Sequence, residues 1–238
     1  QAAIGYDSRR GTLLIRDPYE RDFAEFIADA FFDRYRPSGP RGMAMVPADQ
    51  AHLLEGIDLP DASLYDLFFA VQDALVRHDR PAAAAAVERM KALATDHRLT
   101  WWARRSLAGY DGDVQAQLAC IEGLLGPFPD EPALLLARLS CLRTLGRRDQ
   151  RLELLRTICA RWRVDPVFWQ QYAQELGQDA REQNRAERLL RRAMRYRPAD
   201  PGNYFILANV LWSARRFEEA MELYRFAACL DDKNEQLA

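Results

Sequence analysis

The sequence lacks several features that would assign it to a specialised class of protein. It has no run of about eighteen apolar residues, which excludes a transmembrane helix. Cysteine is scarce, and the four cysteines are too evenly spread for a CxxC zinc site or a disulfide framework. Excess charge is also absent, because 33 basic and 35 acidic residues give a formal net charge of -2. We therefore expect no membrane insertion, no cofactor, a reducing cytoplasmic location and no charge-driven nucleic-acid partner.

The remaining composition is that of a globular protein. The chain has 238 residues, of which 49% are hydrophobic and 29% are charged. This length allows one elongated domain, or a small domain joined to a larger one. The chain starts Gln1-Ala2-Ala3 without methionine or a signal-peptide pattern, which predicts an internal segment of a longer protein.

An internal repeat dominates the sequence from about Leu64 onward. The period is 34 residues and rises to 35 in the fourth repeat, which has one extra residue between its helices. The five repeats are 64–97, 98–131, 132–165, 166–200 and 201–234. Position 4 of every repeat is large and apolar, being Leu67, Trp101, Leu135, Trp169 and Tyr204. Apolar positions within each repeat are three or four residues apart, so each repeat is predicted to be a helix-turn-helix unit.

A two-helix unit of 34 residues resembles the tetratricopeptide repeat. The fifth repeat matches best, with Tyr204, Leu207, Ala208, Leu211, Phe217, Ala220, Tyr224 and Ala227 at the signature positions of that family. The middle repeats depart from the pattern, because Arg104, Arg105, Gln117, Arg138 and Arg151 stand where small or apolar residues are usual. The resemblance implies a mostly α fold, a tetratricopeptide-type α-solenoid. It also predicts unusual helix packing in the third repeat, the weakest match.

The first 60 residues have a different pattern. Ala2–Tyr6 and Thr12–Arg16 are β-prone runs separated by turn formers, which predicts a hairpin. An amphipathic helix is predicted from Tyr19 to Tyr35, a further strand at Met43–Val46 and a short helix at Pro47–Leu54. These elements are too few for an independent core, so we expect a small α+β remnant domain at residues 1–60.

The segment Ile-Gly-Tyr-Asp, a turn and Leu-Leu-Ile-Arg-Asp-Pro resembles the closing strands of papain-like, bacteriocin-processing cysteine peptidases. That bacterial family uses an aspartate to orient a catalytic histidine, and Asp17 is the matching position. An alternative is that Asp17, which precedes a proline, caps a turn or a helix. The family's histidine and cysteine would precede Gln1, and His52, His78 and His97 do not replace them. We therefore expect no peptidase activity from this chain alone, although a longer parent protein could be a peptidase.

The family resemblance also implies a binding groove along the first helices of the repeats, at positions 2, 5, 9, 12 and 13. By register, the groove residues are Tyr65, Phe68, Gln72, Trp102, Ser106, Tyr110, Leu136, Ser140, Arg143, Gln170, Gln174, Phe205, Asn209 and Trp212. Such an aromatic and amide-rich surface suits an extended peptide or a helix of a partner protein. The alternative for Phe68, Trp102, Leu136 and Phe205 is packing within or between helices. Tyr110 and Gln174 are the better groove candidates. The lysine-asparagine clamp for carboxy-terminal tails is missing, which disfavours such ligands.

One strongly charged feature lies in the second helix of the fourth repeat. The arginine stripe consists of Arg181, Arg185, Arg188, Arg192 and Arg195, which are three or four residues apart. It predicts either a solvated outer face or a site for anionic polymers or RNA, although no aromatic residue on the same face supports base stacking.

These observations predict first of all a protein-interaction scaffold. A peptidase fragment whose repeats recruit substrate is the alternative, and an anionic-polymer or RNA-binding module is the second alternative. The apolar residues after Ala227 further suggest additional repeats or self-association at the carboxy-terminal edge.

Overall fold

The structure is a computed structural model and describes residues 2–16, 23–36, 46–57, 60–161 and 164–231. The chain divides into two compact units, an N-terminal unit, Gln1–Cys141, and a C-terminal unit, Leu142–Ala238. This division lies within the third repeat. The domain limits expected from the sequence, 1–60 and 64–234, stay a prediction.

A three-stranded antiparallel sheet begins the chain. Its strands are β1 (Ala2–Asp7), β2 (Thr12–Arg16) and β3 (Ala24–Ile27), in the order β1-β2-β3. The predicted hairpin is confirmed, since β1 pairs with β2 from Asp7 opposite Thr12 to Ala2 opposite Arg16.

The prediction of a helix from Tyr19 to Tyr35 is wrong for residues 24–27. Residues 24–27 form β3 because they complete the backbone hydrogen bonds of β2, and helix α1 spans only Ala28–Tyr35. A 3-10 helix at Ala48–Leu54 lies where the short helix was predicted. The strand predicted at 43–46 falls largely outside the described residues, and Val46 itself is not in a strand.

Ten further helices form the five predicted helix-turn-helix repeats in the described part of the chain. In chain order they are α2 (Ala62–Val76), α3 (Arg80–Ala94), α4 (Arg98–Tyr110), α5 (Val114–Leu125), α6 (Pro132–Thr144), α7 (Arg148–Cys159), α8 (Pro166–Leu176), α9 (Gln183–Tyr196), α10 (Pro201–Ser213) and α11 (Phe217–Leu230). Three first helices, α6, α8 and α10, begin with a proline, at a position where the missing N–H costs little. None of the described helices is long and apolar enough to cross a membrane.

The turn between the two helices of a repeat has a recurring backbone conformation. Position 15 has a positive φ in four repeats, at His78, Gly112, Gly146 and Arg215, with values from 60° to 71°. In repeat 2 the N–H of Gly112 donates to the carbonyl of Gly109 and that of Asp113 to Ala108. This pair of bonds is the Schellman motif, which satisfies carbonyls at the end of the first helix.

The aromatic residues at position 4 occupy equivalent environments in three repeats. Each packs against position 26, which lies on the second helix of the same repeat. Repeat 4 has one extra residue between its helices, so its residue equivalent to position 26 is Arg192. An ideal Cβ on Gly123 would lie 2.7 Å from the Trp101 ring. The Arg192 guanidinium lies 4.1 Å from the Trp169 ring centroid, and the centroids of Tyr204 and Phe226 are 4.7 Å apart. A large residue at position 4 therefore meets a glycine, a stacked arginine or a second ring.

Small residues at position 20 allow the two helices of a repeat to approach closely. Ala83, Ala186 and Ala220 occupy this position and are fully buried. Repeat 3 has Arg151 instead, which is only 2% exposed. The third repeat therefore buries a charge where repeats 1, 4 and 5 bury a methyl group.

Candidate functional site

In the N-terminal unit, the first helices α2 and α4 bring several predicted groove residues together. Gln72 and Ser106 both occupy position 9, and the Gln72 amide donates a 2.9 Å hydrogen bond to the Ser106 hydroxyl. Arg98 at the start of α4 donates to the Tyr65 hydroxyl over 3.2 Å. Consecutive repeats are therefore linked by polar contacts along the surface that the sequence predicted as a groove.

Phe68 and Tyr110 of this unit differ in how far their side chains are exposed. Phe68 is only 6% exposed and belongs to the apolar core between repeats 1 and 2, so it packs as the alternative predicted. Tyr110, in contrast, is 42% exposed, and its hydroxyl lies 3.2 Å from Nδ1 of His78. Trp102 and Leu136 are half-buried, while Ser140 is exposed.

In the C-terminal unit, α8 and α10 expose uncharged polar groups at the equivalent place. Gln174 and Asn209 both occupy position 9 and both are exposed, as is Arg143 at the end of α6. Gln170 is buried, because Gly202 has no side chain and an ideal Cβ there would lie 2.6 Å from the Gln170 amide nitrogen. Gln170 therefore contributes to packing between α8 and α10 rather than to an open surface.

An aromatic cluster surrounds Asn209. Trp212 is 48% exposed and lies edge-on to Phe217, with centroids 4.9 Å apart. Phe205 is half-buried, and its centroid is 5.6 Å from that of Tyr224. The Tyr224 hydroxyl donates a 2.6 Å bond to the Asn209 side-chain oxygen, which fixes the orientation of the amide. Phe217 and Tyr224 were not predicted from the sequence to contribute to this surface, although their contacts with positions 12 and 9 follow from the helical register.

The arginine stripe lies on and just before α9, and two of its members are stacked on aromatic rings. The Arg192 guanidinium covers Trp169, as described above, and that of Arg185 lies 5.1 Å from the centroid of the Tyr172 ring. Both rings belong to α8 and are buried. Arg181, Arg188 and Arg195 are exposed.

A buried ion pair in the C-terminal unit was not anticipated. The guanidinium of Arg151 on α7 contacts the carboxylate of Glu175 on α8 and donates a 2.7 Å hydrogen bond to the side-chain oxygen of Gln171. Arg148 also reaches Glu175, by a 3.1 Å bond to its backbone carbonyl. Burial lowers the pKa of Arg151, and repulsion from Arg143 adds to the effect. The unusual Arg151 at position 20 was the signal that a buried partner was needed.

Three of the four thiols are unsuited to nucleophilic chemistry, and the fourth, Cys229, is exposed near the end of α11. Burial raises the pKa of Cys120 and of Cys141, and it raises that of Cys159 to about 12, against the opposing influence of nearby arginines. A thiol with a raised pKa stays neutral, whereas the nucleophile is the thiolate. No group of three or more potential metal ligands occurs among the described residues.

Asp17 is the one residue that the peptidase resemblance assigns a role. Asp17 lies outside the described residues, so its orienting role stays a prediction. His97 caps α4 by accepting a 3.3 Å hydrogen bond from the N–H of Leu99, in keeping with a capping role. His52 lies in the 3-10 helix.

Comparisons with known proteins identify the fold. A scan against protein-family models finds no match, and neither does a comparison with curated protein sequences. Among solved structures, residues 41 to the end of MamA from Desulfovibrio magneticus RS-1 align with 73% of this chain and 97% of their own, at 12% identity and a TM-score of 0.58.

Two further structures give the same result. A tetratricopeptide repeat protein from Parabacteroides merdae covers 74% of this chain and 70% of its own length, with 13% identity and a TM-score of 0.62. YrrB, described as a TPR protein with an unusual peptide-binding site, covers 80% and 95%, with 12% identity and a TM-score of 0.56. This chain therefore has a mostly α fold, a tetratricopeptide-type α-solenoid of five helix-turn-helix repeats preceded by a small α+β segment.

Proposed function

We propose that this chain is a protein-interaction scaffold that binds a peptide or a helix of a partner protein on its first-helix surface. The proposal rests on position 9 of the repeats. Every repeat has an uncharged hydrogen-bonding residue there, namely Gln72, Ser106, Ser140, Gln174 and Asn209. Binding functions of a repeat array come from its surface side chains rather than from the fold itself.

The chemistry of this row suits a polypeptide ligand. An amide side chain both donates and accepts hydrogen bonds, so it can pair with the N–H and C=O groups of a ligand backbone. Exposed Tyr110 and Trp212 lie three or four residues further along the same helices and offer rigid apolar anchors. Gln174 and Asn209 are exposed, whereas Gln72 and Ser106 are half-buried and bond to each other, so Gln174 and Asn209 are the stronger candidates for ligand contacts.

One comparison supports this proposal in outline. YrrB shares the fold and is described as having a peptide-binding site. The absence of lysine from positions 5 and 9 disfavours recognition of a free carboxy-terminal carboxylate. We therefore expect the ligand to be an internal segment of the partner protein.

Selection of peptides from a phage-displayed random library on the purified chain tests the proposal. Enriched peptides should bind in solution, and the double variant Gln174→Ala/Asn209→Ala should weaken binding by about tenfold or more, as expected for two lost hydrogen bonds. The matched control is Gln150→Ala/Asn184→Ala, which removes two exposed amides from the second helices α7 and α9.

Amidation of the peptide carboxy terminus should leave the affinity unchanged. Equal effects of the two double variants, or failure of the library to yield any binding peptide, would exclude the first-helix surface as the site. Circular dichroism of both variants establishes that neither has unfolded.

A further inference from the structure

The arginine stripe has few compensating acids. Several exposed arginines elsewhere in the C-terminal unit pair with a carboxylate. Arg191 pairs with Glu187 at 2.7 Å, and Arg197 pairs with Asp165 at 2.9 Å. Within the stripe, among the residues that the structure describes, only Arg185 has a carboxylate within 4.0 Å, and Glu182 is 3.7 Å away. Positive charge is therefore concentrated along one side of α9.

Stacking gives this stripe a defined geometry. Arg185 and Arg192 lie over buried Tyr172 and Trp169, which limits the motion of their guanidinium groups. A stacked guanidinium keeps its N–H donors in the plane of the group, where they can form paired hydrogen bonds with a carboxylate. Ordering these two side chains on binding therefore loses less conformational entropy than ordering free arginines.

The spacing of the stripe matches that of a second helix. Arg185, Arg188, Arg192 and Arg195 are separated by three, four and three residues, so they extend along about 15 Å of α9. Carboxylates on an acidic helix with the same spacing would repeat at the same rise and meet the arginines one to one.

A nucleic acid fits this surface less well. Proteins that bind single strands offer aromatic faces on which bases stack. Trp169 and Tyr172, beside the stripe, are 5% and 4% exposed and already covered by arginine. Tyr196, at the end of α9, is exposed, and its ring centroid lies 5.5 Å from that of Trp169. A single exposed ring at one end of the stripe does not form the series of stacking faces that a strand of several bases requires.

We propose that the arginine stripe on α9 binds an acidic helical segment of a protein, with glutamates or aspartates three and four residues apart. This site is separate from the first-helix surface, because α9 is a second helix. The two proposals can therefore fail independently.

Binding of a fluorescently labelled, alanine-based helical peptide tests the inference. Its glutamates follow the spacing of the stripe, and a second peptide of equal composition has them distributed around the helix. The spaced peptide should bind the intact chain at least about tenfold more tightly than the distributed one, because only it can pair all its carboxylates at once. Its affinity should fall as the salt concentration rises.

Charge reversal localises the binding. Arg188→Glu/Arg195→Glu changes the two arginines of the stripe that lie on α9 and are not stacked on a ring, and it should reduce the affinity by about tenfold or more. The control Arg89→Glu/Arg225→Glu makes the same change in net charge at exposed arginines of α3 and α11 and should have an effect below about twofold. Similar losses in both variants would overturn the proposal, because only net charge would then matter. Equal affinity for the two peptides, or tighter binding of a short oligouridylate than of the spaced peptide, would also overturn it.

Discussion

Substitution of Gly123 by alanine tests the contact between positions 4 and 26 that recurs in the repeats. An ideal Cβ at residue 123 lies 2.7 Å from Cε2 of Trp101 and 2.8 Å from Cδ2 and Cζ2. Carbon atoms in favourable contact are about 3.5–4.0 Å apart, so the added methyl group would overlap the ring by about 0.8 Å or more. The Trp101 ring also contacts Arg104, whose guanidinium lies 4.3 Å from the centroid. A shift of the ring would therefore disturb a second interaction.

The expected free-energy change combines two opposing effects. Overpacking of this kind typically costs about 1–3 kcal/mol, whereas alanine is favoured over glycine within a helix by about 1 kcal/mol. We expect a net destabilisation of up to about 2 kcal/mol, measured by urea unfolding monitored with circular dichroism. Gly109→Ala in α4 is the matched control, because the nearest atom to its ideal Cβ is the Gln117 side-chain oxygen at 3.8 Å. It should stabilise the chain by about 0.5–1 kcal/mol.

A second substitution separates this contact from general effects on α5. Leucine occupies position 4 in repeats 1 and 3, so Trp101→Leu gives repeat 2 a side chain that its neighbours already use. In that background Gly123→Ala should destabilise much less, because the ring that it meets has been removed. If Gly123→Ala stabilises the chain as much as Gly109→Ala does, the proposed packing of Trp101 is wrong.

Three further predictions concern the turns and the charged contacts. Arg215→Gly should raise the stability by about 0.5–1 kcal/mol, because glycine adopts a positive φ without strain. Gly112→Ala should lower the stability by about 1 kcal/mol or more, and melting temperatures measure both changes. Glu175→Gln should destabilise by about 3 kcal/mol, since it leaves the buried Arg151 without its counter-charge, and Glu175→Leu/Arg151→Leu should recover much of that loss in urea titrations. Burial opposes ionisation of Glu187, but hydrogen bonds from Arg191 and Arg216 outweigh this effect and hold the pKa of Glu187 below its usual range. The difference in stability between wild type and Glu187→Gln should therefore be largest near neutral pH and should shrink as the pH falls below about 4.5.

The repeats could be predicted from sequence because local signals determine them. A proline begins α6, α8 and α10, and glycine occupies the positive-φ turn position in repeats 2 and 3. Those signals lie within a few residues of the structure that they specify. The 34-residue register then places distant residues in equivalent environments, such as the rings at position 4.

Elements that depend on distant partners were harder to predict. The segment Ala24–Ile27 has apolar residues at helical spacing, but pairing with β2 makes it a strand. Glu175 lies 24 residues after its buried partner Arg151 and gives no local sign of that contact.

The candidate site was predicted in part for the same reason. The register identified the exposed Gln174 and Asn209 at position 9, because the place of each residue on its own helix depends only on the repeat spacing. It could not reveal that Gln170 is covered, since that depends on the close approach of α10 at Gly202. The stacking of Arg192 on Trp169 was likewise hidden, although Phe226 occupies the same position over Tyr204 in the last repeat.

The variety at position 26 has a practical consequence for engineering. Because glycine, arginine and phenylalanine each complement their own partner ring, the two residues behave as a matched set that can be transplanted between repeats only together. Exchanging such sets would tune the rigidity of individual helical hairpins without altering the amides at position 9.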